Sequence, residues 1–395
     1  MRLQLIIIAL ALATAAFNIS AQNTLDSLLL AVEQNNTRLS AFRQQAEAEK
    51  IGNKTGLNPE NPEIEYSYLW GNNEVGGNQT EFSVTQSFDF PTAYYHKRKV
   101  AGAKDQQIDL QYQIERKDIL LETKLLYIDL VYQQALLAEL NIRQQHVQQI
   151  MQSIQGLFDK GEASILDLNK VKLNILNINK TINTAQIEQE LMLSELTRFN
   201  GNQPVRISMA TYPASLLATD FETWYAGIRD NNLLLQYWAN EVAVSKANER
   251  LQRSLNLPKI SAGYMNESIL GEKLQGVIFG VTIPLWENKN TVRHIKAQTI
   301  AAQATEMDVA LRYYNEAKAR HNKASQLQAI CTEFKTTLSK VSNSDLLKKA
   351  LDLGEISLIN YFLELSIYYD AVDAILETER DYHRTVAELN QWMLF

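Results

Sequence analysis

Turn-forming residues are scarce in this 395-residue chain, which has 15 glycines and 7 prolines. That is low against average usage and excludes a fold of many short, turn-linked elements. With a single cysteine, Cys331, no internal disulfide can form, and no Cys/His spacing suggests a metal knuckle. The five histidines (His96, His146, His294, His321 and His383) are scattered, and none pairs with a cysteine or acid at metal-ligand spacing. There is no glycine-rich phosphate loop either. An enzyme is therefore not expected, and neither are a catalytic residue, a cofactor or a metal. Positive charge is also short: the formal net charge is −7, so no nucleic-acid partner is expected. Beyond the N-terminus no stretch reaches the ~20 apolar residues of a membrane-spanning helix, so any membrane contact must come from something other than helices.

What is present begins with an export signal. Arg2 precedes an apolar run from Leu5 to Phe17, followed by Ile19-Ser20-Ala21 before Gln22. This reads as a signal peptide over residues 1–21. The run is too short for a transmembrane anchor and ends in polar Asn18 and Ser20. No cysteine follows it, so a lipid-anchored N-terminus is not expected.

The remainder reads as two copies of one pattern. FDKGEASIL (Phe158 to Leu166) matches LDLGEISLI (Leu351 to Ile359), Val84-Thr85 matches Val281-Thr282, and Asn35-Asn36 matches Asn231-Asn232. The matches come in the same order at nearly constant offset. Residues 22–200 form the first repeat and residues 220–395 the second. Residues 201–219, with Pro204 and Pro213, are the connecting equatorial segment. Each copy reads as a first helix (roughly 24–56 and 220–256), two strands, a very long helix, a glycine-marked turn and a return helix.

The strands alternate cleanly. Ile64, Tyr66, Tyr68 and Trp70 fall opposite Glu63, Glu65 and Ser67; Phe82, Val84, Phe88 and Phe90 fall opposite Glu81, Ser83, Thr85 and Ser87. In the second copy Ile260, Ala262 and Tyr264 are followed by Val277, Phe279, Val281, Ile283 and Leu285. Such alternation suits a transmembrane β-barrel wall, and equally any half-buried strand. Export, two similar hairpins, and aromatic Trp70, Tyr94, Tyr95 and Trp286 near strand ends favour the barrel. The expected lipid face is Ile64, Tyr66, Tyr68, Trp70, Phe82, Val84, Phe279, Val281 and Ile283, with outer-membrane lipid as a partner. Polar loops at 71–78 and 267–273 are expected outside the cell. Four strands cannot close a barrel, since about eight is the smallest filled one, and open edges are not tolerated in lipid. Three chains sharing a barrel would supply twelve strands.

The helices are long. Tyr94 to Phe158 contains no proline and would span roughly 95 Å at the helical rise; a helix from about 288 to 352 is expected to match it. The return helices carry coiled-coil seams, from Leu168, Val171 and Ile175 to Leu196 and Phe199, and from Leu358, Tyr361 and Leu365 to Val386 and Leu389. The opposite faces read as polar. Two shorter helices stacked end to end would match one long helix in length. Gly161 and Gly354 then serve as C-cap residues closing hairpin tips.

Together these features resemble the TolC-like family of outer-membrane efflux ducts, over nearly all of the chain beyond the signal peptide. The carriers are the Asn61-Pro62 strand start, the Val84-Thr85-Gln86-Ser87-Phe88 strand leading to Pro91 and the basic helix start His96-Lys97-Arg98-Lys99, and the duplicated Gly-Glu-x-Ser tips. The resemblance implies a mainly α fold with a membrane β-barrel portion: a long coiled-coil α-helical barrel plus four β-strands per chain, in a twelve-stranded barrel shared by a homotrimer. It implies a Gram-negative outer-membrane location extending into the periplasm, and passive export through the duct. A periplasmic adaptor (membrane fusion) protein would dock at the tips, Gly161, Glu162, Ser164, Leu353, Gly354, Glu355 and Ser357, and couple to an inner-membrane pump or translocase. The entrance constriction would fall at Asp167, Asn360, Tyr361 and Glu364. Asn360 departs from the acidic ring that family members often carry there. The alternative is an exported structural coiled coil, such as a surface stalk, which explains the heptads but not two recurring hairpins.

Overall fold

The computed structural model describes residues 24–71, 77–207, 211–213, 217–340 and 344–394. The signal peptide and most of the 71–78 loop lie outside the described residues, as do parts of the connecting segment. The elements are α1 (Thr24–Asn35), α2 (Thr37–Gly52), β1 (Glu63–Leu69), β2 (Gln79–Phe88), α3 (Pro91–Asp159), α4 (Ile165–Phe199), α5 (Phe221–Arg229), α6 (Leu233–Leu255), β3 (Lys259–Ile269), β4 (Glu272–Thr282), α7 (Thr291–Leu338), α8 (Ser344–Asp352) and α9 (Leu358–Leu389). Thus helix, helix, hairpin, long helix and return helix recur in the same order in both halves, with α8 added before the return helix in the second.

Three departures from the sequence reading have local causes. The expected first helix is broken in each half, because Asn36 and Asn232 act as N-caps: the side-chain oxygens accept from the Leu39 and Leu235 N–H groups at 2.9 and 3.1 Å. A capping side chain satisfies an N–H that an uninterrupted helix would bond internally. The second long helix is also broken. It ends at Leu338, in a turn at Ser339 and Lys340, and a separate short helix begins at Ser344; serine is a weaker helix former than the leucine before it. Finally, the expected 267–273 loop is a tight turn, with β3 and β4 paired up to Ile269 and Glu272. Leu270 and Gly271 both take positive φ, 54° and 89°, which matches the right-handed twist of the strands.

The chain divides into two compact units. The sheet unit, residues 41–115 and 226–314, holds all four strands in the antiparallel order β1-β2-β3-β4. Its helical segments are joined in a row. From α2 to the start of α3 run Lys50 to Asp109 (2.5 Å) and Asn53 to Asp105 (2.8 Å). From α3 to α6 the Asn240 side chain donates to the Ala103 carbonyl (3.0 Å), and Thr92 meets Ser254 (2.6 Å). From α6 to α7, Ser245 meets Thr299 at 2.8 Å. The lateral order α2-α3-α6-α7 therefore repeats the strand order, each strand beside the neighbours of its own helix.

The helical unit comprises the described residues among 1–40, 116–225 and 315–395. Here α3 lies between α4 and α9. Gln133 donates to the Ala185 carbonyl (2.8 Å) and Gln144 to Asn179 (2.6 Å) on one side; Arg143 grips Asp373 on the other, at 2.9 and 2.6 Å. Lys335 of α7 then pairs with Glu379 of α9 at 2.6 Å. The C-terminus of α4 abuts the α1–α2 break: Asn36 donates to the Phe199 carbonyl (2.9 Å) and Asn35 to the Asn200 side chain (3.0 Å). Leu168, Val171, Ile182, Ala185, Leu196 and Phe199 of the first seam are buried, as are Leu358, Tyr361, Leu365, Ile375, Tyr382, Val386 and Leu389 of the second.

Candidate functional site

Both hairpin ends in the helical unit are built alike from short sequence signals. At the first, Gly161 takes φ +79°, its N–H bonds the Phe158 carbonyl (2.9 Å), and the Glu162 N–H bonds the Leu157 carbonyl (2.8 Å). At the second, Gly354 takes φ +73°, with the same pair of bonds to Leu351 (3.0 Å) and, from Glu355, to Ala350 (2.9 Å). This is the Schellman closure, whose left-handed residue favours glycine. A β-carbon would meet nothing within 4 Å at either position, so backbone torsion alone asks for glycine. The return helices then start on Ser164 and Ser357, whose hydroxyls accept from the N–H of Asp167 and of Asn360, each at 3.2 Å.

Asp167 and Asn360 therefore occupy equivalent third positions of their helices. The Ser164 hydroxyl donates to the Asp167 carboxylate at 2.6 Å and Lys170 lies 3.4 Å away; the serine hydrogen bond first, and then the lysine, hold this carboxyl below its ordinary range. Asn360 and Glu364 are exposed, but Tyr361 is only 2 % exposed. It packs among Val147, Ile150, Ile154 and Leu358, and burial pushes its phenol up to about 12. Within one chain Tyr361 is thus a core residue beside the tip, not part of its surface. Glu162, Leu353 and Glu355 are exposed around the two glycines.

Sequence reasoning missed two features here. The tip faces opposite the seams are not wholly polar: Ile165, Leu166, Ile359 and Leu363 are exposed. The apolar residues beside each cap were the available signal. The second feature is the ion group of Arg143 with Asp373 and Glu139, its guanidinium over the Tyr369 ring at 4.4 Å, while the Tyr369 hydroxyl meets His146 at 3.2 Å. Nothing in the sequence joins residues so far apart in the chain.

In the sheet unit the register sorts the strand residues onto two faces. Ile64, Val84, Tyr264 and Val277 form one cross-strand row, and Phe88, Ile260 and Val281 another. Tyr66 pairs with Phe82, and Ala262 with Phe279. This face is bare: Ile64, Tyr66, Tyr68, Phe82, Val281 and Ile283 are exposed, Phe279 is 79 % exposed, and Trp70 just past β1 is 84 % exposed; Val84 is half-buried. The opposite face carries Glu63, Glu65, Glu81, Glu267 and Glu272 at alternate positions. Glu81 and Glu267 stand directly across from each other, and Gln79 donates to Glu267. An exposed apolar patch of this size marks an interaction surface, and like carboxylates in register need a high-dielectric side. Among the described residues, both outer edges of the sheet, β1 and β4, have no strand partner.

Among the described residues no helix is long and apolar enough to cross a membrane, which says nothing against a barrel. No protein-family profile and no curated protein matches the chain. Solved structures do. CusC, studied for the conformational changes accompanying folding and transmembrane channel formation, superposes with a TM-score of 0.79 at 12 % identity, over 94 % of this chain and 92 % of its own. The Campylobacter jejuni CmeC outer-membrane channel gives 0.76 at 15 % identity, over 94 % and 85 %. The open state of the Neisseria gonorrhoeae MtrE outer-membrane channel gives 0.64 at 12 % identity, over 93 % and 88 %. With both chains covered almost end to end, the protein has the fold of the TolC-like outer-membrane channels.

Proposed function

We propose that the chain is one subunit of a homotrimeric duct in a Gram-negative outer membrane, a passive exit for cargo delivered by an inner-membrane pump or translocase through a periplasmic adaptor. The observation that carries this reading is the sheet unit. It has one bare apolar face, one glutamate-lined face, two unpartnered edges, and four helices in the same lateral order as the strands. An open edge in lipid leaves backbone groups without partners; pairing β4 of one chain with β1 of the next removes every edge. Twelve strands then form the barrel, with the apolar face in lipid and the carboxylates toward water. The same closure joins helix α7 of one chain to α2 of the next, so the helices form a tunnel wall.

The recurrence of caps, hairpins and tips supports an origin by duplication, with residues 22–200 and 220–395 as the copies. The exposed tips, Gly161, Glu162, Ser164, Leu353, Gly354, Glu355 and Ser357, offer the surface for the adaptor. Asp167, Asn360 and Glu364 lie beside it, at the proposed constriction. The structures that resemble this chain are described as channels, which favours a conduit over a stalk.

Two measurements test this. Mass determination in mild detergent is expected to give three chains; a stable monomer would overturn the barrel and the tunnel together. Tyr66→Arg is expected to block assembly while Glu65→Arg is tolerated, because a charge facing the bilayer midplane costs about 2–4 kcal/mol and one facing water does not. Equal tolerance of the two would show that this sheet does not meet lipid.

A further inference from the structure

Although the chain as a whole is acidic, two stretches are strongly basic, and both stand where a strand gives way to a helix. Between Pro91 and Lys104, after β2, there is no acidic residue; between Asn288 and Thr305, after β4, there is none either. Arg98 and Lys99 in the first stretch and Lys289, Arg293 and Lys296 in the second are all exposed. Among the described residues none of these five has an ion-pair partner. Each stretch also has an exposed aromatic ring: Tyr95, with the Lys99 ammonium 5.6 Å from its centroid, and Trp286, 76 % exposed directly after bare Ile283 and Leu285.

From the apolar face of the sheet unit toward its helices, the order along both strand exits is thus apolar band, aromatic ring, unpaired cations. Helical side chains tilt toward the helix N-terminus, here back toward the strands. Arg98 lies seven residues into α3 and Lys296 five into α7, about 8–10 Å from the helix starts at the helical rise. Headgroup layers add roughly 5–8 Å on each side of the hydrocarbon, and long basic side chains reach several ångströms back toward an interface. Among the described residues, only the exits of β2 and β4, at one end of the sheet, carry this arrangement. At the other end, the β3–β4 turn is flanked by Glu267 and Glu272, with Lys273 the cation nearest it.

We infer that this basic collar binds the headgroup phosphates of anionic phospholipids in the membrane leaflet next to the helices, with Arg98, Lys99, Lys289, Arg293 and Lys296 as phosphate partners and Tyr95 and Trp286 seated at the acyl boundary. This rests on the reading that the apolar sheet face meets lipid. The collar adds a lipid preference to it: phosphatidylglycerol-type headgroups, which carry net negative charge, over zwitterionic ones.

The test uses the purified full chain in nanodiscs of equal parts phosphatidylglycerol and phosphatidylcholine, with lipid retained after extraction counted by native mass spectrometry. Wild type is expected to retain the anionic lipid about fivefold or more over the zwitterionic one, the ratio expected from even one well-placed basic residue at an anionic surface. The variant R98Q/K99Q/R293Q/K296Q is expected to insert but retain both lipids equally, while a control losing two exposed lysines elsewhere, K172Q/K180Q, keeps the preference. Equal retention by wild type would overturn the proposal, as would displacement of phosphatidylglycerol by inorganic phosphate alone, which would indicate a free-anion site. Wild-type retention stands as a measurement even if the fourfold variant fails to fold. Insertion is scored separately by flotation with vesicles: a chain that does not float with either lipid refutes the membrane reading itself, whereas one that floats without preference refutes only the collar.

Discussion

Two glycines with the same backbone torsion but opposite surroundings separate the proposed docking tip from a structural joint. Gly354 has φ +73° and Gly201 has φ +63°. A side chain at Gly354 meets open space, whereas a β-carbon at Gly201 falls on the Asn35 carbonyl, well inside contact distance. Gly354→Val therefore incurs the left-handed torsion penalty alone, about 1–2 kcal/mol per chain. Gly201→Val adds a backbone clash at the point where α4 abuts the α1–α2 break, and belongs with the severe substitutions of about 4 kcal/mol or more. Heat resistance of the detergent-extracted oligomer, outer-membrane yield, adaptor crosslinking and export of a reporter cargo would be measured in parallel. Gly354→Val should leave yield and heat resistance near wild type yet abolish adaptor crosslinking and export, because Leu353, Glu355 and Ser357 are displaced; Gly161→Val should behave alike. Gly201→Val should fail at the first step, with little assembled protein. Normal export by both tip variants at full expression would refute the argument, showing the tip glycines to be plain helix terminators.

Two further outcomes follow from buried groups of the helical unit. His383 stacks on Tyr212, ring centroids 4.2 Å apart, and burial pushes its pKa down to about 4, against a smaller upward pull from Glu379 and with Lys335 and Lys124 lowering it further. An unfolded histidine titrates near 6.5. The neutral-ring stabilisation is therefore complete above that pH and is lost as pH falls toward 4, by up to about 3 kcal/mol. Thermal midpoints recorded from pH 7 to 4 should decline, and His383→Gln should flatten that decline; a parallel decline in the variant assigns it to other groups. The Arg143 side chain is 7 % exposed and Asp373 38 % exposed. Asp373→Leu should cost somewhat less than the ~3–5 kcal/mol of breaking a fully buried pair, and adding Arg143→Met should recover part of that. A double-mutant cycle with coupling below about 0.5 kcal/mol would show that the pair contributes nothing beyond its separate contacts.

What was legible in the sequence was periodic or punctuated. The seam of Leu168, Val171, Ile182 and Leu196 and the two strand faces follow from repeats of 3.5 and 2 residues, and the tip glycines from their duplication. Asn35-Asn36 and Asn231-Asn232 were visible as a repeat, but their capping role was not, because asparagine within a polar helical stretch carries no sign of which side chain turns back on the backbone. Leu270 was hidden for a related reason: leucine is an unusual occupant of a left-handed turn position, so the tight hairpin read as a loop. Tyr361 was legible twice, as a seam residue with Leu358 and Leu365 and as a neighbour of the tip, and within one chain the seam decides its burial. The Arg143 group is a matter of tertiary contact, beyond any local pattern.

The interruption of the second long helix has a consequence for symmetry. Each half ends in the same closure, Schellman turn and serine cap, so six tips in the proposed trimer would look alike at close range. Behind them the supports differ: α3 runs unbroken to Asp159, whereas α7 stops at Leu338 and the separate α8 leads to the other tip. Alternate tips of the ring would thus rest on one 69-residue helix and on two helices in succession, so six tips of like shape would repeat with threefold, not sixfold, symmetry.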